Sequence, residues 1–509
     1  MGATPRVVIV ADVGSGNAEH VGDNAMFEAN VAALTQRLPG LEVSLLARRP
    51  WRSAEIRVAE LPALDFPRLD EASDGERRKL LELVSAAVRS GRFATLGRRA
   101  ESVAALVAAL SRADALVVSG GGNLNARWPE HLFERAAAVE VARRLGRPVA
   151  FLGQTLGPAL APDQRAVLGE ALRSAAWVGV RELPSAALAL ALGVPEGRVD
   201  YQLDDACFLQ PRPPEPDERR QLPDWGDGRW IALTFHPFCA PSDLACDRIG
   251  EQLGALASAL GARLLFLPHE AADDAGRSDR EVSHALVARL PRRVESWICP
   301  VLPARLVRWI TAQACMVVST RYHPLVFGLA AGVPCLGLWS DDYSRIKVQG
   351  ALRHAGQSEW SCALEEGAAG ALLARGLDLW QRRDVTSAHL AALHPGWRVR
   401  EERRWRRLLA ALGLSSSRAT PSESSTGRAE PALEPRDSLL GADPQALALA
   451  LLETLEEERA AAGAELERRR AELRWVVGTS TWKLRSRLLR LRPLLSAYRT
   501  LSRRRDGAR

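Results

Sequence analysis

A chain of 509 residues exceeds one ordinary domain and allows two or three, and a hydrophobic content of 47% is ample for sizeable cores. Seven cysteines with no CxxC pair argue against a disulfide framework or a zinc site and fit a reducing cytoplasm. The formal charge of +7 is unevenly spread: residues 474–509 hold eleven Lys/Arg against one acid, Asp506, so that tail carries +10 and residues 1–473 sum to −3. An argument for a polyanionic partner therefore attaches to the tail and not to the globular part.

The N-terminal RVVIVADV reads as a first core strand, its apolar part too short for a secretory leader. No apolar run approaches the ~20 residues that span a bilayer. The glycine-rich GSGNAEHVGDN (14–24), a helical AMFEANVAALTQRL and the strand LEVSLLA follow. Further strands are ADALVVS, running into glycines, then PVAFLGQTLGP, AAWVGVRE and RVDYQLDDACFL, with Ala/Leu-rich helical periods in several of the gaps. Short apolar runs separated by helical segments indicate a parallel sheet with crossover helices.

A proline-rich linker, 210–228, separates this first domain, 1–209, from a second, 229–412, where the rhythm restarts. Its strands are WIALTFHPF, ARLLFLPHE, WICPVL, CMVVST and VPCLGLW. The fold class expected is α/β: two doubly wound domains forming a cleft between facing C-terminal strand edges, where open sheets bind ligands. A Ser/Pro/Glu-rich segment, 413–443, reads as a disordered linker. Residues 444–475 read as a long single helix or a weak coiled coil able to pair two copies, although Arg459 and Arg469 interrupt its seam. The tail, 476–509, places Leu484, Leu488, Leu491 and Leu495 on one face among arginines, which suits an anionic membrane surface or a protein partner. Nucleic acid is a poorer fit, because no aromatics interleave the arginines.

The candidate chemistry sits at strand ends. Gly14 and Gly16 begin a dinucleotide pattern that Glu19 breaks. At Gly22-Asp23-Asn24, Asp23 or Asn24 is either simply the N-cap of the next helix or part of a turn whose N–H groups receive an anion. Gly120, Gly121, Gly122 and Asn123 form either a tight turn or a place of close backbone approach. Gln154 ends one strand and Arg181-Glu182 another, where a surface pair is the plainer reading. In the second domain His269 follows RLLFLP, and Arg321 and His323 follow CMVVST. Two strand-end histidines and an arginine on one sheet edge combine planar anion capture with proton transfer. No HxxxH, HExxH or clustered carboxylate pattern points to a metal.

The ordered set GDNAM (22–26), SGGGNL (119–124), GQTLGP (153–158), VRE (180–182) with Ser185, LPH (267–269), and STRYH (319–323) with AGVP (331–334) resembles the polysaccharide pyruvyl transferase family across residues 6–360. The resemblance implies two Rossmann-like domains in a GT-B-like arrangement. It also implies transfer of pyruvyl from phosphoenolpyruvate, the donor substrate, to a sugar as a ketal, with no further cofactor. Arg321 would bind the donor's phosphate or carboxylate and His323 would be the acid/base residue, with His269 beside them. Contacts to substrate would come from Gly22, Asp23, Asn24, Gly120, Gly121, Gly122, Asn123, Gln154, Arg181 and Lys347. The sequence departs from the family pattern at Glu182, where Asp is more usual, and in the spacing around Tyr343, Arg345 and Lys347. The acceptor expected is a saccharide or lipid-linked saccharide of a cell-surface or exopolysaccharide precursor, handled in the cytoplasm or on the inner face of the membrane. The alternatives are a nucleotide-sugar glycosyltransferase of the same fold, and a catalytically silent scaffold subunit of a glycan-assembly complex.

Overall fold

A computed structural model describes residues 4–14, 20–53, 55–224, 228–237, 243–271, 278–414, 447 and 449–450. Eight strands form the first sheet: β1 (Arg6–Val10), β2 (Glu42–Leu46), β3 (Ala59–Leu61), β4 (Ala115–Val118), β5 (Gly121–Leu124), β6 (Val149–Leu156), β7 (Trp177–Val180) and β8 (Val199–Tyr201). Their order is β3-β2-β1-β4-β6-β7-β8, with β5 also on β6, and every pairing is parallel. The central strands β4 and β6 are buried along their whole length, as helices on both faces require.

The second sheet takes β9 (Arg229–Thr234), β10 (Ala262–Phe266), β11 (Ser296–Ile298), β12 (Met316–Ser319), β13 (Cys335–Trp339) and β14 (Ser361–Ala363) in the parallel order β11-β10-β9-β12-β13-β14. Both sheets are doubly wound and stand in a GT-B-like arrangement. The strand order reverses between β1 and β4 in the first sheet and between β9 and β12 in the second, and the loops leaving these strands line one cavity of about 670 Å³.

The long helix Arg383–Ala411 crosses between the two domains. Leu390 and Trp397 pack into the second domain's core, whereas Trp405, Leu408, Leu409 and Leu412 cover the first sheet beside Phe27, Trp51 and Trp177. Arg404 fastens this end, its Nη1 lying 2.8 Å from Asp205 and its Nη2 2.6 Å from Glu401. The first domain's outer layer is thus supplied in part from beyond 397. Leu203, Ala206 and Leu209, read as the end of the first domain, lie in a core shared with the second.

Leu447, Leu449 and Ala450 are helical, and Leu447 and Ala450 join the first domain's core. The expected linker from 415, the rest of the 444–475 helix and the 476–509 tail lie outside the described residues. No helix among the described residues is long and apolar enough to cross a membrane.

Candidate functional site

Strand β12 is buried through Ser319, and the chain turns there because side chains cap the turn. Ser319 Oγ accepts the Arg321 N–H at 2.9 Å and donates to the Thr234 carbonyl at 3.0 Å, while Thr320 Oγ1 accepts the His236 N–H at 2.8 Å. The helix Tyr322–Ala331 begins at once and ends at Gly332, whose φ of 79° is the left-handed C-cap conformation that glycine allows. Arg321 and His323 are thereby held at the mouth of a rigid strand–helix junction.

Arg321 Nε and Nη2 clamp Asp279 Oδ1 at 3.0 and 2.7 Å, and Nη2 also meets Glu270 Oε2 at 2.7 Å. Asp279, fully buried, spends its other oxygen on the backbone N–H groups of His269 (2.8 Å) and Glu270 (3.2 Å). One carboxylate therefore ties the loop after β10 to the junction after β12. The two acids outweigh burial and hold Arg321 firmly protonated.

His323 and His269 are both buried, and burial is the main reason their pKa values lie well below the usual histidine range. Arg181, Lys347, His20 and His269 push His323 further the same way, and Arg321 and His20 do so for His269. Both imidazoles are neutral at pH 7 in the free protein. Among the described residues neither Nε2 has a hydrogen-bond partner, and His323 Nε2 stands 3.8 Å from Asp204 Oδ2. Both histidines line the cavity, and two buried imidazole nitrogens left unsatisfied are costly for stability alone and mark a site. Burial and cationic neighbours leave His323 in the form that accepts a proton before it can give one.

The first domain meets these residues closely. Val21 N–H donates to the His269 carbonyl at 2.9 Å, and His20 forms an antiparallel bridge with Glu270. The helix Val21–Arg37 is capped by His20, whose Nδ1 accepts the Asp23 N–H at 3.4 Å. This corrects the reading of Asp23 or Asn24 as N-cap: the helix starts a turn earlier, because its first residues dock on the second domain. Gly22 and Asp23 line the cavity. Asn24 instead braces the preceding loop, donating to the Gly14 carbonyl at 2.9 Å and accepting the Gly14 N–H at 3.2 Å.

The glycine run is not a tight turn either, since Gly121–Leu124 is itself strand β5. Gly122 and Asn123 line the cavity, and Tyr343 Oη reaches across to donate to the Gly122 carbonyl at 2.7 Å. Lys347, one turn after Tyr343, lines the cavity with Nζ 3.1 Å from Tyr343 Oη. Gly120 and Gly121 lie behind this surface. Gln154 is fully buried, its amide donating to the Ser119 and Leu152 carbonyls, so the structure does not bring it to the cavity.

Arg181 is not the surface pair the sequence suggested: it is fully buried beneath Gly122. It binds Asp204 at 2.6 Å and Thr155 at 3.0 Å and lies 4.3 Å from the Tyr322 ring. Burial raises Glu182, which accepts from Thr155 at 2.7 Å and Ser185 at 2.9 Å.

Several cavity residues escaped the sequence reading: Asp12, His20, Trp128, His131 and Glu270. Asp12, two residues past β1, and Glu270, directly after His269, stood at positions where a strand-end search could have found them. Among the described residues no cluster of His, Cys, Asp or Glu is arranged to hold a metal ion.

Among curated proteins no sequence matches the chain. Its fold is similar to several solved structures. One is a putative UDP-N-acetylglucosamine 2-epimerase from Listeria monocytogenes (13% identity, 77% of this chain and 92% of that one, TM-score 0.49). Others are S. aureus MnaA with UDP (12%, 81% and 97%, 0.49) and Anabaena HepE in complex with UDP-glucose (13%, 76% and 94%, 0.46). The sequence profile of polysaccharide pyruvyl transferases matches residues 20–342, from the histidine that caps the first helix to the helix that carries Tyr343 and Lys347. With more than half its length matched, the chain belongs to the polysaccharide pyruvyl transferase family.

Proposed function

We propose that the protein transfers the pyruvyl group of phosphoenolpyruvate to two hydroxyls of a saccharide or lipid-linked saccharide, forming a ketal. The observation that carries this reading is the convergence of Arg321, Lys347 and two neutral, unpartnered imidazoles on one cavity between the domains.

The donor carries a carboxylate and a phosphate, and a guanidinium and an ammonium supply charge for both. Protonation of its methylene carbon leaves an oxocarbenium-like centre. One hydroxyl adds there, the bond to phosphate oxygen breaks, and the second hydroxyl closes the ketal. Two hydroxyl protons are released overall; one balances the proton taken by the methylene and the other leaves with phosphate. His323 is the residue to exchange these protons. An anionic donor beside it offsets Arg181 and Lys347, so proton uptake by the imidazole accompanies binding. In this reading the basic tail holds the enzyme against an anionic membrane surface, where lipid-linked acceptors are presented.

Calorimetric titration of the full chain with phosphoenolpyruvate, UDP-glucose and GDP-mannose tests the reading. Saturable binding of phosphoenolpyruvate, weakened in Lys347→Ala and lost in Arg321→Ala, is expected. Binding of a nucleotide sugar alone would move the protein to glycosyl transfer, and binding of none would overturn the donor assignment.

A further inference from the structure

Resting on the pyruvyl-transfer reading, we propose that Asp12 receives the acceptor's hydroxyls on the first-domain wall, and that its carboxylate selects a neutral hexopyranose over a uronic acid. Asp12 follows β1 by two residues and faces the cavity with its side chain 29% exposed. Asn123 Nδ2 donates to its Oδ2 at 2.8 Å, and His131 Nδ1 stands 3.7 Å from the same oxygen. Oδ1 has no hydrogen-bond partner among the described residues. The carboxylate is thus anchored through one oxygen and offers the other.

Its charge state follows from its neighbours. Arg135 and Arg49, joined by His131 and His20 where those rings are protonated, outweigh burial and hold Asp12 well below the usual carboxylate range. His131 is itself pushed down to about 3, chiefly by burial, so it stays neutral beside Asp12. An ionised carboxylate only accepts hydrogen bonds. It suits the hydroxyl donors of a sugar and repels phosphate and carboxylate. Asp23 and Glu130 line the same cavity, but so do Arg48, Arg49, Arg68 and Arg127, so the discrimination comes from the direct meeting of the Asp12 carboxylate with the sugar and not from the charge of the wall. Trp128, half-buried in the same cavity and edge-on to Tyr343 at 5.7 Å, adds an aromatic surface for the C–H bonds of a pyranose ring.

The test uses the full chain with phosphoenolpyruvate present. Saturation-transfer NMR and calorimetry would be run with methyl β-D-glucopyranoside, methyl β-D-galactopyranoside, methyl α-D-mannopyranoside and methyl β-D-glucopyranosiduronate. At least one neutral glycoside binds the wild type, with the uronide about tenfold or more weaker. Asp12→Asn weakens the neutral glycoside about tenfold, the effect of one charge-assisted hydrogen bond, and narrows the gap to the uronide. Its affinity for phosphoenolpyruvate stays at the wild-type value, which also shows that the variant is folded. Equal binding of uronide and neutral sugar, unchanged glycoside affinity in Asp12→Asn, or no glycoside binding by a wild type that binds phosphoenolpyruvate would each overturn the assignment. Failure of the wild type to bind phosphoenolpyruvate would instead overturn the reading on which it rests.

Discussion

A Cβ on Gly22 would stand 1.8 Å from Nδ1 of His323, so the first domain's helix start and the second domain's imidazole fit only because residue 22 has no side chain. The glycine is helical and not at positive φ, so its requirement is space and not backbone freedom. Gly22→Ala must therefore move the ring or part the domains. We expect a loss of turnover of about a hundredfold or more, as a displacement near 1 Å at a reacting group produces. Steady-state kinetics beside far-UV circular dichroism would check it; an alanine variant with wild-type turnover would refute the close fit.

Arg321→Lys keeps the charge and loses the fork that grips Asp279 and Glu270. One ammonium cannot reproduce the contacts of Nε and Nη2, and a buried carboxylate is left underpaired. Denaturant unfolding should show a destabilisation of about 3 kcal/mol, in the range for breaking a buried ion pair. Lys347→Ala, at a half-buried position, should leave the unfolding midpoint nearly unchanged while weakening donor binding.

Binding of the anionic donor should take up protons near pH 7. His323 and His269 are neutral in the free protein because burial and cations depress their pKa values. An anion placed among those cations raises both. Calorimetry in buffers of different ionisation enthalpy reads the number of protons directly; zero uptake, or release, would contradict the charge states described.

His354 gives a stability signature far from turnover. Its Nε2 bonds the Arg181 carbonyl at 2.8 Å, its ring stacks on Tyr201 at 4.5 Å, and burial, with Arg400 and Arg353 nearby, lowers its pKa to about 4. For a base with a depressed folded pKa the neutral form is the native one. Its contribution is complete above the unfolded value near 6.5 and is lost as pH falls toward 4. Relative to His354→Gln, the wild type should lose up to about 3 kcal/mol between pH 7 and 4. Parallel unfolding curves at all pH values would show that the imidazole is not held neutral.

Eleven of the fourteen strands among the described residues were legible because each is a short apolar run with little choice of residue where both faces are buried, whereas β3, β5 and β14 are three or four residues long and carry no such run. Arg321 and His323 were legible for the same reason, since charged side chains directly after a buried strand stand out. Asp279 was not: it matters because it folds back onto Arg321 from 42 residues away, and its local surroundings look like an ordinary Ser-capped helix start. Gln154 misled in the opposite sense, its amide serving the backbone of a neighbouring strand. The helix Arg383–Ala411 shows no single apolar stripe, because Leu390 faces one domain and Trp405 and Leu408 the other.

That crossing helix bears on how the protein can be dissected. Cutting the chain at the proline-rich segment would yield a first fragment, ending near 209, stripped of Trp405, Leu408, Leu409 and Leu412, with Phe27, Trp51 and Trp177 laid open to water and Asp205 deprived of Arg404. The second fragment would carry the missing layer as an exposed, sticky end. The two pieces should be insoluble apart and soluble when co-expressed, because the piece that completes the first domain is the last one the ribosome makes before residue 412.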